Sequence, residues 1–283
     1  MRKCIGIYTN TDKDVDLKVT SRLISRLKPC GFDVVIHRDI AGLLPENKTF
    51  DEREDGKPFD TLLTVGGDGT ILRIAEYCAL RDIAILGVNL GTVGFLTEIE
   101  LGALDSLPEL LASDSLVSEN RSLLKVDLGN RSFLALNEVV ISRDFSDRMI
   151  RLGVYVDDML ADKYYCDGYI ISTPTGSTAY SLSAGGCVLS PEVNALSLLA
   201  INSHSLHSRP IIVSDRSTVK VSVLATGKSC SVVGDGKQFG YVRENDVLTV
   251  SKAKERLRFL KLKESNFYEK LLSKLNTWSV TPK

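Results

Sequence analysis

Asp68 is a lone carboxylate set among glycines, in Gly66, Gly67, Asp68, Gly69 and Thr70. With no Cβ in the way, the backbone at the three glycines can come within hydrogen-bonding reach of a ligand, and phosphate oxygens are its natural guest. A carboxylate beside phosphate is repelled unless it has a task, such as accepting a proton or holding a cation. The same residues also suit a tight turn with Asp68 as a helix cap, so both readings stay open on this stretch alone. A second glycine-rich run, Asn89 to Thr97, offers either another wall of the same crevice or ordinary turn chemistry. A third segment, Asp167 to Gly186, interrupts a β-rich region with Thr173, Pro174, Thr175, Gly176, Ser177 and Thr178. Its hydroxyls donate and accept, which can read a base edge or serve turns and caps. In Asn137-Glu138 an amide and a carboxylate break an apolar run; they either bind something polar or sit at a strand end in water, and the residues leave both open. No G-x-S-x-G elbow points to a nucleophilic serine.

The elements around these residues follow from periodicity. Thr61 to Val65 is an apolar β-run that stops at Gly66, and Ile71, Leu72, Ile74, Ala75, Cys78 and Leu80 follow at helical spacing, so the glycines join a strand to a helix. Before them, Lys3 to Tyr8 reads as a strand, and Val15, Val19, Leu23 and Leu27 give the next helix one apolar stripe ended by Pro29 to Gly31. Phe32 to His37 is a second strand. Residues 39–58 are polar, carry Pro45, Gly56 and Pro58, and read as a long mobile surface loop. Ile83 to Val88 supplies another strand. Apolar strands alternating with amphipathic helices specify a doubly wound, Rossmann-like α/β domain over 1–117, with ligands beyond the carboxyl ends of the strands, where both glycine runs fall.

Leu104, Leu107, Leu110 and Leu111 predict the last helix of that domain, and Ser113 to Ser115 with Ser118 to Asn120 the junction. Over 118–258 the pattern changes to short β-rich runs: Leu123 to Leu128, Phe133 to Ser142, Arg151 to Leu160, Tyr164 to Ser172, Pro210 to Ser214, Val219 to Leu224, Ser231 to Gly234 and Val247 to Ser251. With Asp157-Asp158 as a hairpin turn, they predict an all-β antiparallel sandwich. Arg256 to Lys263 adds a strand, and Asn266 to Trp278 a tail helix; the tail, 259–283, is expected to pack back on the first domain through Phe267, Leu271, Leu272 and Leu275.

Composition narrows the function classes. A chain of 283 residues with 43% hydrophobic content can build two real cores. Thirty-five basic residues against thirty-six acidic ones, with no strongly basic run, argue against a nucleic-acid partner. No segment approaches the ~18 apolar residues that span a bilayer, and the basic start is followed by too short an apolar run for a signal peptide, so a cytoplasmic protein without membrane association is expected. Six cysteines (4, 30, 78, 166, 187 and 230) show no C-x-x-C pair and read as free, mostly buried thiols. Three histidines, His37, His204 and His207, do not make a histidine-rich metal site.

In order and approximate spacing, Gly66 to Thr70, Asn89 to Thr97, Asn137-Glu138, Asp167 through Gly186 and His204 to Pro210 together resemble the motifs of the NAD kinase family, over nearly the whole chain. The Gly-Gly-Asp-Gly element alone also occurs in lipid kinases of the diacylglycerol type and in 6-phosphofructokinases, but the Ser172 to Tyr180 run separates this chain from both. The resemblance implies transfer of a phosphoryl group, with magnesium and usually ATP as donor, to the 2'-hydroxyl of the adenosine ribose of NAD, giving NADP. It implies Asp68 as general base, with Gly66, Gly67, Gly69 and Thr70 around the donor phosphates. It assigns Asn137 and Glu138 to the ribose and adenine portion, and Thr178, Ala179 and Tyr180 to an adenine pocket that Ser181, Leu182 and Ser183 continue. Gly69 also counts among the NAD-binding positions. Asp167 would meet the nicotinamide part, in this family often across a subunit boundary; Phe95 would pack on a ring of the dinucleotide; Arg73 and Arg148 would neutralise phosphate charge. Lys237 stands where many relatives have glutamine and suits either a phosphate contact or solvent, and Ile201 to His204 lacks the proline often found before the histidine. The resemblance assigns no metal ligand and implies a homodimer or homotetramer. Two alternatives share part of this pattern: a related sugar or lipid kinase would use Asp68 and its glycines without the adenine pocket, and a non-catalytic dinucleotide sensor would keep the pocket without needing Asp68.

Overall fold

The computed structural model describes residues 3–91, 94–113, 115–144, 148–227, 229–263 and 266–279, the last three by backbone alone. Contacts divide the chain into Met1–Asn120 with Leu257–Lys283, and Arg121–Arg256.

In the first unit, β1 (Cys4–Thr9), α1 (Lys18–Leu27), β2 (Asp33–His37), β3 (Lys48–Phe50), β4 (Thr61–Gly66), α2 (Asp68–Leu80), β5 (Ala84–Asn89) and α3 (Leu107–Ala112) follow one another. The strands pair in parallel in the order β3-β2-β1-β4-β5, with Ile7 opposite Ile36 and Leu63, and Leu62 opposite Ile85. Because they are covered on both faces, they are apolar throughout: Ile7, Ile36, Leu62, Leu63, Val65, Leu86 and Val88 are buried. The chain winds outward from β1 in one direction and from β4 in the other, so the crevice of this topology opens between their carboxyl ends. There the Asn10 N–H donates to the Val65 carbonyl at 2.9 Å.

Two local expectations are corrected. Val15 does not join the α1 stripe: it is 60% exposed, because Asp16 and Leu17 adopt positive φ and the helix begins only at Lys18, burying Thr20, Leu23, Ile24 and Leu27 instead. Residues 39–58 are not one long loop. A short helical turn over Arg38–Leu43 buries Ile40, and β3 pairs with β2 as the edge of the sheet. Phe50 anchors that edge between the rings of Phe59 and Tyr77, at centroid distances of 4.8 and 5.9 Å.

Among its described residues the second unit is built of strands, with a 3-10 turn over Gly176–Thr178 and one turn of α-helix. After β6 (Leu116–Leu128) come β7 (Arg131–Ala135), β8 (Glu138–Arg143), β9 (Ile150–Val156), β10 (Met159–Cys166), β11 (Gly168–Ser172), α4 (Tyr180–Ser183), β12 (Ala195–Ile201), β13 (Ile211–Ser214), β14 (Val219–Ala225), β15 (Cys230–Gly234), β16 (Lys237–Val242) and β17 (Val247–Leu262). One antiparallel sheet runs β13-β12-β11-β8-β15-β16; the other sets β10, β9, β14 and β17 side by side. Val139, Ile141, Tyr169, Ile171, Leu196 and Leu198 of the first pack against Leu152, Val154, Val219, Val221, Leu248 and Val250 of the second, so the unit is an antiparallel sandwich. Asp157 and Asp158, both at positive φ, form the β9-β10 turn. Periodicity does not single out β12 or β16, and it divides β17, which is one strand of 16 residues.

From Leu257 onward β17 belongs to the first unit, with Phe259 beside Ile85, and α5 (Phe267–Ser279) follows. In α5, Phe267 lies 6.3 Å from Phe95, ring to ring. Of the cysteines, all free, Cys78, Cys166 and Cys230 are buried and Cys30 and Cys187 exposed, so burial is less general than their surroundings suggest. Among the described residues no helix is long and apolar enough to cross a membrane.

Asp14 fixes the start of α1. Its buried carboxylate accepts from the Val19 and Thr20 N–H groups, both at 2.9 Å, and from the Thr20 hydroxyl at 2.6 Å. Asp14→Ala removes the acceptor of two N–H groups at the helix start and leaves the Thr20 hydroxyl with only the Thr9 hydroxyl, 2.7 Å away, so urea denaturation should show a loss of ~1–2 kcal/mol.

Candidate active site

Asp68 is the first residue of α2, where the unpaired N–H groups favour a negative charge. The turn before it is self-supporting: the Gly67 N–H donates to the Thr70 hydroxyl at 3.2 Å, and the Thr70 N–H to the Gly67 carbonyl at 2.9 Å. A Cβ on Gly66 would stand 2.1 Å from the Thr70 hydroxyl oxygen, so glycine there admits the cap. The half-buried carboxylate reaches the second glycine run, accepting from Phe95 N–H at 2.8 Å on Oδ2 and from Leu96 and Thr97 N–H at 3.1 and 3.3 Å on Oδ1. A carboxylate offers about four acceptor positions, so three bonds fix its orientation and leave one for a ligand proton. Gly94 makes this approach possible, because a Cβ there would lie 2.0 Å from Asp68 Oδ1. The two glycine runs therefore meet at Asp68. Thr92 and Val93 of the second run lie outside the described residues.

The second unit holds another concentration of polar groups. Asn137 and Glu138, at the entry to β8, are 7% and 8% exposed, and neither Asn137 Oδ1 nor Glu138 Oε2 has a hydrogen-bond partner among the described residues. Asp235 holds their backbone, accepting from the N–H groups of Leu136, Asn137 and Glu138 at 2.6, 2.8 and 3.2 Å. The hydroxyl-rich segment closes on them from the other side. The Thr173 hydroxyl donates to the Leu136 carbonyl at 2.6 Å, the Thr173 N–H to the Asn137 carbonyl at 2.9 Å, and a Cβ on Gly176 would lie 2.1 Å from that same carbonyl oxygen. Burial, then the Asp235 carboxylate, push the Glu138 carboxyl up to about 8, with the Tyr180 N–H pulling the other way. Burial also raises Asp235, but its three amide donors oppose this, so of the pair Asp235 carries the charge and Glu138 the proton. Buried polar atoms without partners mark a place where a ligand is expected to supply them.

Two family models match this chain: the ATP-NAD kinase N-terminal domain over residues 5–115 and the ATP-NAD kinase C-terminal domain over 136–262. The NAD kinase of Caldanaerobacter subterraneus subsp. tengcongensis is 37% identical over 279 residues, covering 96% of this chain and 99% of the relative. The chain belongs to the NAD kinase family. The NAD kinase of Methanothermobacter thermautotrophicus is 35% identical over 271 residues, 96% of this chain and 95% of the relative. Among solved structures, an Archaeoglobus fulgidus NAD kinase in complex with ATP is similar with a TM-score of 0.75 and 26% identity, over 96% of this chain and 99% of that one. A yeast NADH kinase complexed with NADH shares the fold, with a TM-score of 0.87 at 22% identity over 99% of this chain and 89% of that one.

The positions that the NAD kinase resemblance singles out fall into separate groups. Gly66, Gly67, Asp68, Thr70 and Phe95 come together, with Gly69 and Arg73 exposed on α2; Phe95 packs on Phe267. Thr178 is buried two residues after Gly176, which lies against the Asn137 carbonyl, and leads into Ala179, exposed Tyr180, buried Ser181, half-buried Leu182 and exposed Ser183. Asp167 stands apart. Strand β11 pairs with β8 so that Ser172 faces Glu138 and Gly168 faces Ser142, which puts Asp167 about 17 Å along the strand from Glu138. Its carboxylate accepts from Arg143 Nε at 2.6 Å and Asn202 Nδ2 at 3.0 Å, and these two bonds hold it below the usual carboxylate range. Arg148 is exposed near that end, and exposed Lys237 acts on Asp235 by its charge.

Sequence reasoning missed four contributors. Lys13 reaches both glycine runs, its Nζ 3.1 Å from the Cβ position of Gly67 and 3.8 Å from that of Gly91; Asp235 holds Asn137-Glu138; and Lys261 and Lys270 stand behind residues 95–97. Only the switch between β1 and β4 could have pointed to Lys13, and nothing local marks the others. Among the described residues no three histidine, cysteine, aspartate or glutamate side chains cluster as a metal site.

Two outcomes follow. Gly94→Ala displaces Asp68 by direct collision, so the rate of NADP formation should fall by about 10²-fold while thermal melting stays cooperative. Glu138, with its folded pKa raised above the unfolded value, contributes stability that is complete below about pH 4.5 and lost as pH rises through about 8. Glu138→Gln, neutral at every pH, should therefore melt close to the parent at pH 5 and more stably, by on the order of a few kcal/mol, at pH 9.

Proposed function

We propose that this chain transfers the γ-phosphoryl group of magnesium-bound ATP to the 2'-hydroxyl of the adenosine ribose of NAD, giving NADP and ADP, with Asp68 as general base. The observation that carries the reading is the Asp68 carboxylate, fixed by three backbone N–H groups with an acceptor position to spare, at the mouth of the β1-β4 crevice. As the hydroxyl oxygen forms its bond to phosphorus and the bond to the bridging oxygen of ADP breaks, the hydroxyl proton passes to Asp68. The open turn at Gly66, Gly67 and Gly69 receives donor phosphates, and the Lys13 ammonium and Arg73 offset their charge. Magnesium, carried by the triphosphate, supplies further neutralisation.

The adenosine end falls to Asn137 and Glu138, whose unpartnered oxygens suit a ribose diol and a base edge, groups that donate and accept. Thr178, Ala179 and Tyr180 line the adenine pocket, with Ser181, Leu182 and Ser183 behind it. Asp167, too far from Glu138 to share one sugar with it, supports a homodimer or homotetramer in which this acid serves the site of another copy. The protein works in the cytoplasm, with no nucleic acid or membrane partner.

Purified protein given NAD, ATP and Mg²⁺ should form NADP, read with a coupled NADP-specific dehydrogenase. Asp68→Asn keeps the shape and removes the basicity; kcat should drop about 10²–10⁴-fold with NAD binding retained. Parent-level turnover in that variant would show that Asp68 is not the base.

A further inference from the structure

The strip Phe95 to Glu98 is gripped from both sides. The N–H groups of Phe95, Leu96 and Thr97 face Asp68, and the carbonyls of the same three residues face two lysines from much later in the sequence. Lys261 Nζ, from β17, donates to the Phe95 and Leu96 carbonyls at 3.5 and 3.3 Å; Lys270 Nζ, from α5, donates to the Thr97 carbonyl at 3.3 Å. Glu98, its side chain 2% exposed, holds both ammonium groups, at 3.2 Å for Lys261 and 2.6 Å for Lys270, and its other oxygen accepts from Leu262 N–H at 3.1 Å. On the side remote from Glu98, α5 packs Phe267 and the Lys274 ammonium on the Phe95 ring, at 6.3 and 5.9 Å.

A peptide group is a single conjugated unit, so charge on its carbonyl is felt at its N–H. The Phe95 carbonyl shares its peptide with Leu96 N–H, and the Leu96 carbonyl with Thr97 N–H. These are the two donors on Asp68 Oδ1. The Lys261 ammonium faces both carbonyls and strengthens both donors, as linked hydrogen bonds in a poorly solvated site do. Lys270 fixes the Thr97 carbonyl at the end of the strip and holds Glu98, the carboxylate that anchors Lys261. The carboxylates of Glu98 and Asp68 also offset the two ammonium charges, of which Lys261 is buried and Lys270 half-buried.

We propose that Lys261 and Lys270 are positioning residues for the reaction, acting through residues 95–97 to fix the Asp68 carboxylate, so that the C-terminal helix is part of the machinery that aims the base. The inference rests on the reading of Asp68 as that base. Lys261→Met and Lys270→Met keep the apolar stems and remove the charges; Lys270, at 20% side-chain exposure, is the variant that folds most safely. In Lys270→Met, kcat should fall ~10-fold, with KM for NAD and ATP within ~3-fold and melting still cooperative; Lys270→Arg should recover most of it. If the effect passes through Asp68, the pair Asp68→Asn with Lys270→Met should lose little more than Asp68→Asn alone. Unchanged kcat in Lys270→Met, additive losses in the pair, or a loss that tracks melting and is not recovered by arginine would each overturn the proposal. Full turnover in Asp68→Asn would instead overturn the reading beneath it, so the two failures are distinguishable.

Discussion

Three backbone N–H groups of residues 95–97 close on the Asp68 carboxylate at 2.8–3.3 Å, and the chain on both sides is shaped to let them do so. Gly94 has no Cβ to strike the acid, and Gly87, in the middle of β5, has none to strike Thr97, whose Cα would otherwise lie 2.9 Å away. The strip then returns onto β5, with Glu98 and Ile99 N–H both donating to the Gly87 carbonyl at 2.9 Å. A carboxylate is thus oriented by main chain rather than by a flexible side chain, and main chain packed on a buried sheet has little freedom to drift.

The chain gives its acids different surroundings. Asp68 has amide donors and a helix start. Asp167 has Arg143 and Asn202, which keep it ionised well into acid. Glu138 has burial and the neighbouring charge of Asp235, and holds its proton up to about 8. Glu138 and Asp167, shifted in opposite directions, can hold different protonation states at one pH.

Much of this was legible in the residues. A strand that ends in Gly66 to Thr70 and gives way to helical spacing is a local signal, and the alternation of strand and helix around it specifies the parallel sheet. The alternating runs after residue 120 likewise give the sandwich. What escaped depends on contacts between distant residues. Asp235 meets Asn137 from 98 residues away and Lys261 meets Leu96 from 165, distances over which no periodicity carries information. The β12 run, Ala195–Ile201, is a short apolar stretch with no alternation, because it lies buried between β11 and β13. Residues 39–58 look like loop because one aromatic, Phe50, does most of the anchoring amid polar neighbours.

The first unit is assembled from two separate stretches, Met1–Asn120 and Leu257–Lys283, with the whole of the second unit between them. Synthesis on the ribosome therefore delivers Leu96 and Thr97 before the ammonium groups that hold their carbonyls, which follow 165 and 173 residues later. While the intervening unit is being made, a nascent chain carries the glycine turn and its carboxylate without those two lysines.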